Sequence, residues 1–215
     1  MALYGLFSII GLYAAVFIAL KLRIKHQKRD LPLLMCGLAG MILGAKIPLW
    51  LSYGFNDGTI LQGKSLLGGI LGAFLAINLY KFLTHRTKEN FGDNFAVGLA
   101  AGAGFGKIGC FFNGCCGGRH WGFLGIEHYP TQLMESAFNF IMAIILYKLF
   151  KTGKAKNMLF HIYVTSYLAM RFLIEFIRTE PRVWAGLTVY QLAALIFLPL
   201  FIFIIRKRYA QNLGA

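Results

Sequence analysis

Acidic side chains are scarce in this chain: eight Asp and Glu stand against 22 Lys and Arg, for a formal net charge of +14. Long polar stretches are also lacking. Only 14% of the 215 residues are charged and 58% are hydrophobic, a balance too apolar for a soluble domain of this length. The apolar runs leave short loops and no room for a separate soluble domain. Apart from small-residue spacings there is no internal repeat, and no segment is of low complexity. The four cysteines, Cys36, Cys110, Cys115 and Cys116, lack the CxxC spacing of a compact zinc motif. No metal-ligand set and no cofactor is therefore expected. No basic segment precedes the first apolar run, so a cleavable signal peptide is not expected.

What the chain does have is seven apolar runs, at 4–20, 31–53, 66–83, 95–113, 132–150, 158–177 and 186–205. Each is long enough to cross about 30 Å of hydrocarbon as a helix. Fifteen of the 22 basic residues fall in alternate loops and the C-terminal tail. They are Lys21, Arg23, Lys25, Lys28 and Arg29; Lys81, Arg86 and Lys88; Lys148, Lys151, Lys154 and Lys156; and Arg206, Lys207 and Arg208. This placement argues for membrane topology and against a nucleic-acid partner, because positive loops stay cytoplasmic. The expected fold is all-α: a polytopic membrane protein with seven transmembrane helices, N-terminus outside and C-terminus cytoplasmic. Residues 1–215 are expected to form a single integral membrane domain.

Seven basic residues do not follow the loop pattern: Lys46, Lys64, Lys107, Arg119, Arg171, Arg178 and Arg182. They lie inside spans or at their outer ends. Lys46 either snorkels to the interface or meets a headgroup, and Arg182 is either a solvated loop arginine or a headgroup contact. A cation held at membrane depth costs about 2.5–3.5 kcal/mol on insertion scales, so Lys107 is expected to face a cavity or a partner. It sits in the segment GLAAGAGFGKIGCFFNGCCGG, residues 98–118. There Gly98, Gly102 and Gly106 are spaced for close helix approach, and Cys110 and Gly114 follow Lys107 at i+3 and i+7.

The next loop carries Arg119, His120, Trp121, Glu127 and His128. The two histidines are candidate acid–base groups. In the fifth run Gln132, Glu135 and Asn139 share one helix face, as inward-turned polar residues of a membrane helix do. They either join helices or line a cavity. In the sixth run Tyr167, Arg171, Glu175 and Arg178 fall within an arc of about 80°. Arg171 and Glu175 are spaced to pair at i, i+4. Pairing alone accounts for those two. The whole stripe of phenol, guanidinium, carboxylate and guanidinium reads as the wall of a phosphate-bearing headgroup site.

Taken together, GKSLLGGILG (63–72), GKIGCFFNGCCGG (106–118), PTQLME (130–135), YLAMRFLIEFIRTEP (167–181) and VYQL (189–192) resemble the bacterial phosphatidylglycerol–prolipoprotein diacylglyceryl transferases. The resemblance implies an enzyme of the bacterial plasma membrane, multi-pass, with its active site toward the outer leaflet. It implies transfer of diacylglyceryl from phosphatidylglycerol to the thiol of a prolipoprotein cysteine, or another thiol acceptor, with release of glycerol phosphate. By position it implies phospholipid-binding roles for Lys107, Asn113, Gly118, Arg119, Gln132, Glu135, Tyr167, Arg171, Glu175 and Arg178.

The chain departs from the family pattern at several places. The family's HGG histidine falls at Leu67, and its GRIGN motif reads GKIGC, with Lys107 and Cys110. The acidic residue of its NGE stretch falls at Cys115, and two positions of HPxQLYE become Tyr129 and Met134. The base of the reaction is then open between His120 and His128. Alternatively Cys110, Cys115 or Cys116 serves as a nucleophile, its thiolate favoured by Lys107 and Arg119. Lys107, Cys110, Cys115, Cys116, His120, His128 and Arg171 form the candidate catalytic set. Two other readings stay open: a catalytically inactive lipid- or partner-binding paralogue, and a thiol redox or metal-handling membrane protein using the three clustered cysteines.

Overall fold

The structure, a computed structural model, describes residues 2–22, 31–55, 64–86, 92–123 and 126–213. Arg23, Lys25, Lys28, Arg29 and Lys88 of the basic loops lie outside the described residues. The chain is mostly helical. In order it forms α1 (Ala2–Lys21), α2 (Leu31–Gly44), α3 (Ile47–Tyr53), α4 (Leu66–Leu83) and α5 (Asp93–Phe112). A ribbon of β1 (His120–Phe123) and β2 (Ile126–His128) follows, then α6 (Thr131–Thr152), α7 (Leu159–Ile174) and a 3₁₀ turn, Glu175–Ile177. A second ribbon, β3 (Arg182–Trp184) and β4 (Leu187–Thr188), leads into α8 (Val189–Leu213). Both ribbons are antiparallel; they are short additions to the expected all-α plan. Among the described residues six helical segments are long and apolar enough to cross a membrane, and Leu3–Ile18 is a shorter apolar helix.

Two compact units are present. The first comprises Met1–Ile24, Asn90–Thr179 and Ile196–Ala215. Within it α1 packs on α5, and α5 on α6. Small residues set the α1–α5 distance. A Cβ at Gly98 would stand 2.8 Å from the Ala15 carbonyl oxygen, and one at Gly102 2.9 Å from that of Gly11. The expected stripe of Gly98, Gly102 and Gly106 does not continue: a Cβ at Gly106 would meet nothing within 4 Å. The seam resumes at Gly109, against Tyr4 and Phe7. At 100° per residue Gly106 has drifted about 80° from Gly98, whereas Gly109 returns to within about 20°.

The second unit comprises Lys25–Glu89 and Glu180–Leu195. Here Gly40 and Gly44 of α2 interlock with Gly68 and Gly72 of α4, where any added Cβ would meet the facing backbone. The apolar run 31–53, expected as one helix, is two helices. α2 ends at Gly44, and α3 begins with Pro48 in its first turn. The break leaves the Ala45 carbonyl to accept from Ser65 N at 2.9 Å, and the Ser65 side chain caps α4 by accepting from Gly68 N at 3.1 Å. The last helix begins at Val189 rather than 186. Thr188 Oγ1 accepts from Gln191 N at 3.3 Å and Gln191 Oε1 accepts from Thr188 N at 3.1 Å, a reciprocal capping box. Arg182 joins it, donating to Gln191 Oε1 at 3.0 Å and to the Gly186 carbonyl at 3.3 Å. Arg182 therefore closes the second ribbon onto the helix start.

Candidate active site

The site lies wholly within the first unit and is built around one carboxylate. Glu135 sits one turn into α6 and is fully buried. A carboxylate so placed needs cations and donors to offset the loss of water, and four side chains supply them. Lys107 Nζ of α5 lies 2.7 Å from Oε2, and Arg171 Nη1 of α7 lies 2.8 Å from Oε1. Arg178 Nη1, past the end of α7, lies 3.4 Å from Oε1. The Tyr167 hydroxyl donates to Oε2 at 3.2 Å.

A second buried carboxylate extends the network. Glu175 Oε2 is 3.1 Å from Arg171 Nη2, the expected i, i+4 pair, and 3.8 Å from Arg178 Nε. The Arg171 guanidinium thus spans both carboxylates, a use of its planar fork that an ammonium cannot copy. Three cations face two carboxylates, so the constellation keeps a net charge of +1 with all five ionised. The Lys107 side chain is 12% exposed, against 4% for Arg171 and Arg178 and 0% for both glutamates.

Arg178 reaches this cluster by a route that helical spacing does not describe. α7 ends at Ile174, the backbone tightens into the 3₁₀ turn, and Arg178 itself is extended at φ −88°, ψ 161°. In that conformation it pairs with Gly118 as an isolated antiparallel bridge. Arg119 N donates to the Ile177 carbonyl at 2.7 Å, and Gly118 N to the Tyr129 carbonyl at 2.9 Å. Gly118 has no room for a side chain: a Cβ there would stand 2.6 Å from Tyr129 Cβ and 2.7 Å from the Ile177 carbonyl oxygen. Its place in the site is backbone contact between the turn after α5 and the segment after α7.

The turn after α5 carries the cysteines. Gly114 and Cys116 both have left-handed backbone, φ 65° at each, a conformation uncommon for a residue with a Cβ. It aims the Cys116 carbonyl at Arg178 Nη1 and Thr131 Oγ1, both donating at 2.7 Å. Gln132 Nε2 donates to the Cys115 carbonyl at 2.6 Å. The three sulfur atoms of Cys110, Cys115 and Cys116 lie within 4.8 Å of one another. The Cys110 thiol donates toward Cys116. That bond lowers the Cys116 thiol to about 5 against the opposing effect of burial, helped by the charges of Lys107 and Arg178. Cys115 is raised instead, by burial first and then by the neighbouring Cys116. The Asn113 side chain also bonds Cys115.

The structure therefore gathers Lys107, Glu135, Tyr167, Arg171, Glu175 and Arg178 around shared carboxylates, with Gln132 and the cysteine turn beside them. His120 and His128 sit elsewhere. They face each other across the first ribbon with ring centroids 5.9 Å apart, both exposed. Among the described residues neither contacts Glu135. Arg119 joins through its backbone, and its side chain is exposed. Trp121 stacks on Tyr129 at 4.9 Å. Thr131, Ser136 and Tyr163 were not singled out from the sequence. Ser136 Oγ donates to the Gly104 carbonyl at 2.9 Å and ties α6 to α5. The Tyr163 hydroxyl donates to Asn139 Oδ1 at 2.6 Å, and Asn139 Nδ2 to the Glu135 carbonyl at 2.7 Å. Thr131 precedes Glu135 by four residues and Tyr163 precedes Tyr167 by four, so each extends a polar face already visible.

A family model described as "Prolipoprotein diacylglyceryl transferase" matches residues 1–206. The chain belongs to the prolipoprotein diacylglyceryl transferase family. Among curated relatives, a phosphatidylglycerol–prolipoprotein diacylglyceryl transferase of Dehalococcoides mccartyi is 30% identical over 184 residues, covering 75% of this chain and 70% of the relative. The protein of that name from Clostridium tetani is 28% identical over 202 residues, covering 83% and 81%. One from Clostridium botulinum, strain Loch Maree, is 28% identical over 243 aligned positions, covering 96% and 94%. Within the diacylglyceryl transferase framework, Leu67 is fully buried near the start of α4. Lys107 and Cys110 lie one turn apart on α5, Lys107 in the carboxylate network and Cys110 in the sulfur cluster.

Proposed function

We propose that this chain transfers a diacylglyceryl group from phosphatidylglycerol to the thiol of a prolipoprotein cysteine. The observation that carries the reading is the convergence of Lys107, Arg171 and Arg178 on buried Glu135, in a chain of this family. In the reaction the acceptor sulfur attacks the glyceryl carbon bonded to the phosphate oxygen. A C–S bond forms, the C–O bond breaks, and glycerol phosphate leaves with the electron pair. The acceptor's thiol proton passes to a base. Negative charge grows on the departing phosphate, so cations fixed in advance lower the barrier most. Glu135 holds the three cations together, and the residual positive charge attracts the lipid phosphate. Lys107, the more exposed of the cations, reaches it first. Arg171 and Arg178 complete the charge from behind, and Tyr167 and Glu175 fix their orientation.

Residues 1–215 make one integral membrane domain of the bacterial plasma membrane. It has seven spans, the N-terminus outside, the C-terminus cytoplasmic, and the site toward the outer leaflet. The family match and the six long apolar helices support a multi-pass membrane protein, and the basic loops on alternate sides support the orientation. The base is His120 or His128; alternatively a cysteine of the turn, Cys110, Cys115 or Cys116, acts as a nucleophile.

The test is turnover. Purified protein in vesicles of labelled phosphatidylglycerol, given a peptide carrying a lipobox cysteine, should release glycerol phosphate and produce thioether-lipidated peptide in equal amounts. Bound phosphatidylglycerol with no product, for any thiol peptide offered, would instead identify an inactive lipid-binding relative.

A further inference from the structure

We propose that Cys110, Cys115 and Cys116 form a three-thiolate site for a thiophilic divalent cation. Spacing along the chain conceals the set, because two of the three cysteines are adjacent and none forms a CxxC pair. The fold assembles it. Cys110 lies in the last turn of α5, and the left-handed residues Gly114 and Cys116 reverse the chain so that both later cysteines return to it. Cys115 N donates to the Cys110 carbonyl at 3.2 Å and closes this reversal.

The sulfur geometry fits. A Zn²⁺–thiolate bond is about 2.3 Å, so three sulfurs at tetrahedral angles stand about 3.8 Å apart. All three here lie within 4.8 Å of one another. Side-chain rotation closes the difference. Binding releases to water the proton of each sulfur that is still a thiol, and three thiolates around a divalent ion leave a net charge of −1. Lys107 and Arg178 act electrostatically on Cys116 and offset that charge. Cys116 is the most exposed of the three, and three thiolates leave the fourth position of a tetrahedral ion to water or another ligand. Cys36, on α2, is outside the set.

The site does not depend on transferase activity, so its test does not either. Full-length protein in detergent, reduced and stripped of metal, is titrated with Co²⁺ as a spectroscopic probe and then with Zn²⁺. The expected result is one equivalent bound, with thiolate-to-cobalt charge-transfer absorption that Zn²⁺ abolishes. C110S, C115S and C116S should each weaken binding by more than about tenfold, and C36S should leave it unchanged. Thermal melting of each variant separates loss of ligand from loss of fold. Two results would overturn the proposal: no charge-transfer band in protein whose four thiols titrate as free, or a band of equal strength in a folded C110S/C115S/C116S variant.

Discussion

Lys107 Nζ and Glu135 Oε2 stand 2.7 Å apart and join α5 to α6 through a buried ion pair. Each residue explains the other. The lysine is tolerated in an apolar helix because a carboxylate waits across the interface. The carboxylate is tolerated because Lys107, Arg171 and Arg178 all reach it. Removing Glu135 leaves the cations uncompensated, whereas removing Lys107 leaves two guanidiniums facing two carboxylates.

Glu135→Gln keeps the size and one acceptor but removes the carboxylate that Lys107 pairs with and leaves Arg171 and Arg178 with Glu175 alone. Breaking a buried pair from one side costs about 3–5 kcal/mol. The variant should melt well below wild type in detergent and lose turnover, as measured by thermal unfolding and glycerol phosphate release. A fully active, equally stable Glu135→Gln protein would show that the carboxylate does not organise the cations.

Arg171→Lys keeps the charge and loses the fork. An ammonium reaches Glu135 or Glu175, not both at 2.8 and 3.1 Å. Losing one charge-assisted hydrogen bond costs about 1.5–3 kcal/mol. The conservative variant should therefore be measurably destabilised, and thermal melting of the purified protein checks it.

Gly118→Ala places a Cβ against Tyr129 and the Ile177 carbonyl, both held by backbone hydrogen bonds. Arg178 would be pushed out of reach of Glu135. The expected outcome is a loss of activity as large as that of Arg178→Ala, although Gly118 has no side chain to offer a substrate. Near-normal turnover in Gly118→Ala would contradict this packing role.

Cys116 should be the reactive thiol in metal-free protein. The Cys110 thiol and the charges of Lys107 and Arg178 lower it to about 5, from a usual cysteine value of about 8.5. Thiolate is the alkylating form, so iodoacetamide should modify Cys116 almost fully at pH 6 while leaving Cys115 slow. Peptide mass spectrometry across pH 4–9 gives the two profiles. Replacing Cys110 by Ala should move the Cys116 profile upward, since the Cys110 thiol is the largest contributor to its lowering.

Much of this was legible before the structure. The apolar runs located the helices, and the four-residue spacing of Tyr167, Arg171 and Glu175 located one wall of the site. Glu135 was visible on the inward face of α6. Its role as the common partner of three cations was not, because no spacing rule links α5, α6 and α7. Arg178 joined the stripe for a reason the helical arc misstates: the helix stops at Ile174 and an extended residue delivers the guanidinium. At Gly118 the resemblance named a position, but the close packing against Tyr129 and the Ile177 carbonyl was not visible in the sequence. The three cysteines were visible as a group along the chain, but the approach of all three sulfurs was not. It depends on the left-handed backbone of Gly114 and Cys116, which no spacing rule announces. The two histidines were visible as acid–base candidates, but the ribbon that turns their rings toward each other was not.

The most direct test of the central claim is the affinity of purified protein for phosphatidylglycerol with and without the Lys107 charge. Native mass spectrometry of wild type and Lys107→Met, titrated with the same lipid, supplies it. Loss of one charge-assisted contact to phosphate should weaken binding by more than about tenfold. Because Glu135 keeps Arg171 and Arg178, the protein should remain folded. Equal affinity in wild type and a folded Lys107→Met would contradict the claim that this buried cation cluster holds the lipid phosphate.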